Sequence, residues 1–249
     1  MKKLIQYLPL AAILLYACGG QQPAPAEGTS PVAYETQPGD STRYGLACDG
    51  TTDSILVFLP YPADHLDTFD IITARQERRI MGRPHIGDEL AVIVNPENSQ
   101  EAIMVINMET LRGTWCYLVT PTLRNTAQMT ERMKRQMMAK IPDSLKQRWL
   151  TPREYTLQMK SDFSAIAYGG SRQTTTDNMS PAQFPEVKHY TEWRIYNGRL
   201  ILKADTIAGF SEKGDVPTID TADIQLLRKD SLVLRFKDHE QAYYRKGKH

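Results

Sequence analysis

The chain has 249 residues, and its 30 Lys/Arg against 29 Asp/Glu give a formal net charge of +1. That balance excludes a protein that binds nucleic acid through bulk positive charge, while 41% hydrophobic residues supply enough apolar mass for genuine cores. The charge is placed unevenly: Asp40 to Thr110 carries five basic and twelve acidic residues, Leu111 to His249 carries 23 and 15, so the two halves are electrostatically complementary.

Lys2 and Lys3 precede an apolar run from Leu4 to Ala17, which is a secretory signal pattern and too short to span a membrane as a helix. Its end, Leu15-Tyr16-Ala17-Cys18, resembles the bacterial lipobox. The resemblance implies that residues 1–17 are a cleaved signal peptide, that Cys18 is acylated by palmitate-like chains, and that the mature protein is held to a membrane by this anchor. Gly19 to about Asp40 is rich in Pro, Gln, Ala, Gly and Thr with almost no large aliphatic side chains, so residues 18–40 read as a flexible tether. No acidic run follows the cysteine, which favours an outer-membrane anchor with a periplasmic body over surface display.

Residues 41–110 show short β-branched runs between turn signals: Ser54 to Leu59, Phe69 to Arg75, Arg79 to Met81, Glu89 to Val94 and Ala102 to Ile106. Near-continuous apolar runs mean strands covered on both faces. Four to six such strands predict a small OB-like or SH3-like barrel. The loop Pro60 to Thr68, with Asp64, His65 and Asp67, reads as a solvated turn rather than a metal site.

Residues 111–249 parse as eight strands: Thr114 to Val119, Glu154 to Lys160, Phe163 to Tyr168, His189 to Tyr196, Arg199 to Asp205, Ile219 to Arg228, Ser231 to Lys237 and Glu240 to Lys246. Two-residue turns at Ser161-Asp162, Asn197-Gly198, Lys229-Asp230 and Asp238-His239 join neighbours, and Asn-Gly is a strong hairpin signal. Eight antiparallel strands in a meander close as an up-and-down barrel. Asn125 to Leu150 breaks the pattern as a helical insertion, capped by Asn125 with Gln128 and broken at Pro142. Met129, Met133, Met137 and Ile141 form a stripe that either packs on the barrel or lies across its mouth as a plastic lid. The polar stretch Gly169 to Pro185 is a second mouth-side element.

This second module resembles the lipocalin-like domain of bacterial lipoproteins, through Gly113-Thr114-Trp115, Trp193-Arg194-Ile195 with Asn197-Gly198, Ile224-Gln225-Leu226-Leu227, Leu232-Val233-Leu234 and Tyr244-Arg245. The resemblance implies that a basic residue of the last strand, Arg245, covers the tryptophan at one barrel end. The fold class expected is therefore mainly β: a small N-terminal barrel followed by an eight-stranded lipocalin-like barrel.

Neither a catalytic motif nor a metal-ligand or dinucleotide pattern is present, so no enzyme, metal or cofactor is expected. Asp162 and Asp205 are carboxylates at strand ends, for which turn chemistry is the ordinary explanation. What remains is a barrel interior. Trp115, Tyr155, Trp193 and Phe236 are the large groups expected around a small apolar or amphipathic ligand, with replacement of Trp193 and Phe236 by alanine abolishing binding but not folding. The alternative is an accessory subunit of an envelope assembly with filled barrels, and a third reading places glycans on Tyr61, Tyr243 and Tyr244. Nucleic acid is not an expected partner. Cys48 and Cys116 stand where the two modules begin, and the sequence leaves open whether they form a bridge or remain separate thiols.

Overall fold

The computed structural model describes residues 38–62, 64–123, 128–169, 182–185, 187–204 and 218–247. Cys18, Asn125, Asp205 and most of the Gly169 to Pro185 stretch lie outside them, as does the tether up to residue 37.

The first module contains β1 (Thr42–Ala47), β2 (Ile55–Pro60), β3 (Asp67–Asp70), α1 (Ile72–Gln76), β4 (Ile80–Met81), β5 (Glu89–Asn95) and β6 (Asn98–Asn107). The strands pair in the order β3-β2-β1-β5-β6, and a parallel contact of β3 with β6 at Asp70 and Glu101 closes five strands into a barrel. A three-strand meander, a short helix, then two more strands with parallel closure is the OB-like arrangement of the two expected. Leu56, Phe58, Phe69, Leu90, Val92 and Val105 fill its centre.

A one-turn helix, α2 (Met108–Leu111), is capped by Asn107, whose side chain accepts a hydrogen bond from the Thr110 amide. It leads into β7 (Gly113–Val119) and β8 (Thr122–Leu123), then the helices α3 (Glu131–Lys140) and α4 (Asp143–Leu150). The remaining elements are β9 (Arg153–Met159), β10 (Ala165–Gly169), β11 (Ala182–Gln183), β12 (Tyr190–Tyr196), β13 (Arg199–Ala204), β14 (Thr218–Leu227), β15 (Ser231–Arg235) and β16 (Glu240–Arg245). Eight of these strands run β10-β9-β7-β16-β15-β14-β13-β12, the expected meander, and a bridge between Ser164 and Glu192 nearly joins its ends. β8 and β11 pair with each other apart from the barrel.

Turn details differ from expectation in two places. Phe163 belongs to the turn after β9, not to a strand: it adopts φ +62°, and its ring packs on Trp193 at 5.3 Å. After β15 the two-residue loop is Lys237-Asp238, because the Phe236 amide bonds the His239 carbonyl. The Asn197-Gly198 turn takes the positive φ values its sequence demands. In the helical insertion Thr130, not Asn125, caps α3, and Pro142 stands at the break before α4 as expected. No residue of α3 is buried, and Met133 is 53% exposed. Its methionine stripe is therefore not part of the core.

Tyr34 to His249 behaves as one compact unit, because the first barrel closes one end of the second. Tyr44, Met81, Ala91, Ile106, Met108 and Leu111 share a single apolar cluster with Trp115, Trp193, Ile195 and Leu200. This explains the continuous apolar run of β5. Leu90 and Val92 face their own barrel, while Ala91 and Ile93 face the neighbour. The Tyr44 hydroxyl donates to the Ile195 carbonyl at 2.7 Å, and the Gly82 amide to the Leu227 carbonyl at 3.1 Å. Gly198 lies so close to Met104 that a Cβ there would meet its sulfur at 2.7 Å. Apolar burial, at about 1.5–3 kcal/mol per large side chain, carries this contact; the charge complementarity of the two halves enters it through Arg112 and Glu89, 2.6 Å apart.

The start of the body is also fastened here. Asp40 accepts from the Asn197 amide (3.0 Å), and the Asn197 side chain bonds Ser41 and Gly39, so residues 38–41 are docked on the β12–β13 turn rather than part of a free tether.

Cys48 and Cys116 are both free thiols, so the bridge weighed from sequence is not formed. Cys116 lies buried in β7 beside the Thr156 hydroxyl at 3.6 Å, and burial pushes its thiol above the ordinary range. Among the described residues no group of three His, Cys, Asp or Glu is placed to hold a metal ion.

On the outer surface, Asp223 of β14 accepts from Arg199 of β13 (2.6 Å) and Arg235 of β15 (3.1 Å), stitching three strands together. Burial alone pushes this carboxyl up, but the hydrogen bonds from Arg235 and Arg199 outweigh it and hold it below the usual carboxylate range. A depressed pKa stabilises the fold above the unfolded value of about 4, and that contribution disappears as pH falls through the folded value. Asp223→Asn is expected to lose about 0.5–1 kcal/mol at pH 7, allowing for its partial exposure. Urea midpoints of wild type and variant should converge towards pH 3; a gap independent of pH would contradict the ionic origin.

Candidate ligand-binding site

The chain direction separates two ends of the larger barrel. The turns at 161–163, 197–198 and 229–230 lie at the end covered by the first barrel, and the 236–239 turn lies at the other.

At the covered end Arg245 lies over the Trp115 ring, 4.2 Å from its centroid, as the resemblance implied. Its guanidinium donates to the carbonyls of Arg112, Thr110 and Lys229. Gly113 accounts for the glycine of the Gly-x-Trp pattern: it takes φ +129°, and a Cβ there would fall on the Arg245 guanidinium. Trp115 and Trp193 are both fully buried, and each indole nitrogen is already satisfied, by the carbonyls of Leu111 (2.8 Å) and Lys160 (2.9 Å). Both lie in the core, and neither lines the cavity beyond it.

Towards the opposite end lies a cavity of about 760 Å³, lined by interior residues and also by outward ones of β13 and β14 such as Arg199 and Asp223, and within the range of small-molecule sites. Of the four aromatic residues singled out in the sequence, Phe236 lines it. Tyr155 stands behind, packing edge-to-face on Tyr117 at 5.6 Å and donating its hydroxyl to the Pro185 carbonyl at 2.7 Å. It thereby fixes the segment that carries Lys188 along the cavity wall.

The wall is built chiefly from residues that the sequence reading did not select. Tyr117, Tyr190 and Tyr243 project inward with Phe236 above a floor that includes Leu157 and Ala167. Alternation held a signal for two of them, since Tyr117 lies two residues from Trp115 and Tyr243 two from Arg245, on the same inner side. The glycan reading had placed Tyr243 outside; it is 9% exposed and interior, with Tyr244 on the outer surface. Tyr117 and Tyr243 meet edge-to-face at 5.1 Å. Burial pushes both phenols upward, and neither hydroxyl makes a hydrogen bond to another described residue.

One carboxylate sits among these rings. Asp220 follows the inward phase of Ala222 and Ile224 along β14, accepts the Tyr190 hydroxyl at 2.6 Å, and accepts Lys188 Nζ at both oxygens (2.7 and 2.6 Å). Burial, then the bond to Asp220, pushes the Tyr190 phenol far up. Next to β14, at the end of β15, Phe236 stacks on His239 at 4.9 Å.

The β14–β15 ladder runs through a register shift between Ile224 and Leu226 and ends at Asp223 and Arg235, where β15 enters its turn, and residues of β14 and of the 236–239 turn both line the cavity.

The geometry defines a mainly β protein whose eight-stranded up-and-down barrel is plugged at one end and holds a cavity towards the other. No family model matches the chain, and comparison with curated proteins returns no match. Among solved structures, a lipocalin-like protein from Bacteroides thetaiotaomicron is similar, with 17% identity over 54% of this chain and 95% of that one and a TM-score of 0.29. A score that low carries no argument; the barrel description rests on the strand order itself.

Proposed function

We propose that this chain is a non-enzymatic, lipid-anchored protein of the bacterial envelope whose larger barrel holds a small amphipathic molecule, while the first barrel serves as a structural plug. The observation that carries the binding role is the pair of phenol hydroxyls, Tyr117 and Tyr243, turned into a cavity of ligand size without a protein hydrogen-bond partner among the described residues. The envelope role rests on the lipobox-like Leu15-Tyr16-Ala17-Cys18, with the body on the periplasmic side of an outer-membrane anchor.

Native mass spectrometry of the Gly19 to His249 chain, purified without detergent, tests the first part. A discrete mass released on denaturation is expected; a bare chain that also takes up no added small molecule would sink the binding role. For the anchor, labelled palmitate should enter the wild-type protein in cells and be lost in Cys18→Ala, with the variant leaving the membrane fraction. The accessory-subunit reading retains one specific support. Leu118, Ile166, Tyr168 and Tyr244 are exposed large residues on the outer side of β7, β10 and β16. Stoichiometric crosslinking of one envelope protein to this side would favour it.

A further inference from the structure

Aromatic side chains line the cavity together with Asp220, Asp223 and Asp238, of which Asp220 is the least exposed. Tyr117 and Tyr243 stand at 75° to one another and so form a corner, and Tyr190 and Phe236 extend the aromatic lining. Ring faces carry the negative part of the aromatic quadrupole and attract cations, most strongly where water is excluded. Asp220 adds a full negative charge whose field reaches inward, contributing to the raised phenol of Tyr243. Its side chain is 20% exposed, whereas that of its partner Lys188 is 56% exposed, so the carboxylate is the inner charge and the ammonium the outer one.

Lys188 itself shows what this place accepts. Its ammonium rests on both oxygens of Asp220 at the cavity edge, delivered by a surface side chain. Among the described residues an anionic ligand finds no comparable partner, since the lining cations Lys188 and Arg199 are paired with Asp220 and Asp223, and Lys237 and His239 lie on the exposed turn with Asp238.

We infer that the cavity selects a small organic cation, an alkylammonium or quaternary ammonium group seated between the Asp220 carboxylate and the faces of Tyr117, Tyr190 and Tyr243, with Lys188 as an internal competitor that yields its place. This rests on the small-molecule reading above and narrows it to one charge class.

The test is calorimetric titration of the Gly19 to His249 chain with choline, with its neutral isostere 3,3-dimethylbutan-1-ol, and with hexanoate. Choline is expected to bind about ten-fold or more tightly than the alcohol, the order a desolvated cation–π contact supplies. Asp220→Asn, which keeps the side-chain shape, should remove that preference. Lys188→Met, an exposed change, should strengthen choline binding several-fold and leave the alcohol unaffected. Equal binding of the alcohol, or tighter binding of hexanoate, overturns the cation assignment while leaving the cavity as a ligand site. Choline failing to bind even Lys188→Met also overturns it, and the mass-spectrometric result then decides separately whether the cavity holds anything.

Discussion

Trp193→Ala is expected to destabilise both barrels together by about 3–5 kcal/mol. The side chain is fully buried, packs on Phe163, donates its indole hydrogen to the Lys160 carbonyl, and belongs to the apolar cluster that spans the two barrels. Its removal opens a void that the surrounding strands can close only partly. The first barrel has its own centre around Leu56, Phe58 and Phe69 but shares the spanning cluster through Ala91, Ile106 and Met108, so loss of that cluster weakens both barrels. Urea unfolding followed by far-UV circular dichroism and by tryptophan fluorescence should give one coincident transition, shifted strongly to lower denaturant. Two separated transitions would show that the barrels fold independently. A stable variant that merely loses a ligand would restore the binding role that the sequence suggested for this residue.

The second large effect is predicted for Arg112→Met, about 3–5 kcal/mol. Arg112 stands between the barrels, with a side chain 12% exposed, bonded to Glu89 (2.6 Å) and Glu109 (2.8 Å), and its guanidinium lies 5.9 Å from the Phe163 ring centroid. Removing it strands the Glu89 carboxylate, itself 12% exposed, in a low-dielectric contact. The pair is incompletely satisfied, since Glu89 Oε1 and Arg112 Nε have no hydrogen-bond partner. Replacing both residues by methionine should therefore recover most of the loss, because two desolvated charges leave the interface together. A double variant as unstable as Arg112→Met alone would show that packing of the arginine stem, rather than charge, is what holds the junction.

These two effects give the architecture its functional sense. The covered end of the larger barrel is rigid and dry, with Trp115 under Arg245, Trp193 on Phe163, and Arg112 tying the junction. The cavity lies towards the opposite end. The small barrel thus fixes which end of its neighbour is sealed.

Much of this was legible in the chain itself, because it depends on near neighbours. Alternation assigned Trp193, Ile195, Leu200, Leu202, Leu232 and Leu234 to one inner side, and all six are buried. Asn197-Gly198 specified its hairpin through the positive φ that few other residue pairs tolerate. With short turns setting each register, eight strands had an economical closure. The order of Gly113, Trp115 and Arg245 likewise announced one barrel end.

Depth along the barrel axis was not legible. Period-two alternation says that Trp115 and Tyr117 both point inward, yet it does not say that the first lies in sealed core and the second on a cavity wall. That difference is made by the first barrel, whose apolar side of β5 and β6 covers one end and leaves Tyr117 beyond the sealed core. For the same reason the apolar run of β5 suggested a strand buried on both faces without revealing that a second barrel supplies the other cover. Asp220, Lys188 and Tyr190 become a site only when strands and segments some thirty residues apart converge on one carboxylate. Local sequence determines which way a side chain points; only the long-range packing decides whether it meets core, cavity or solvent.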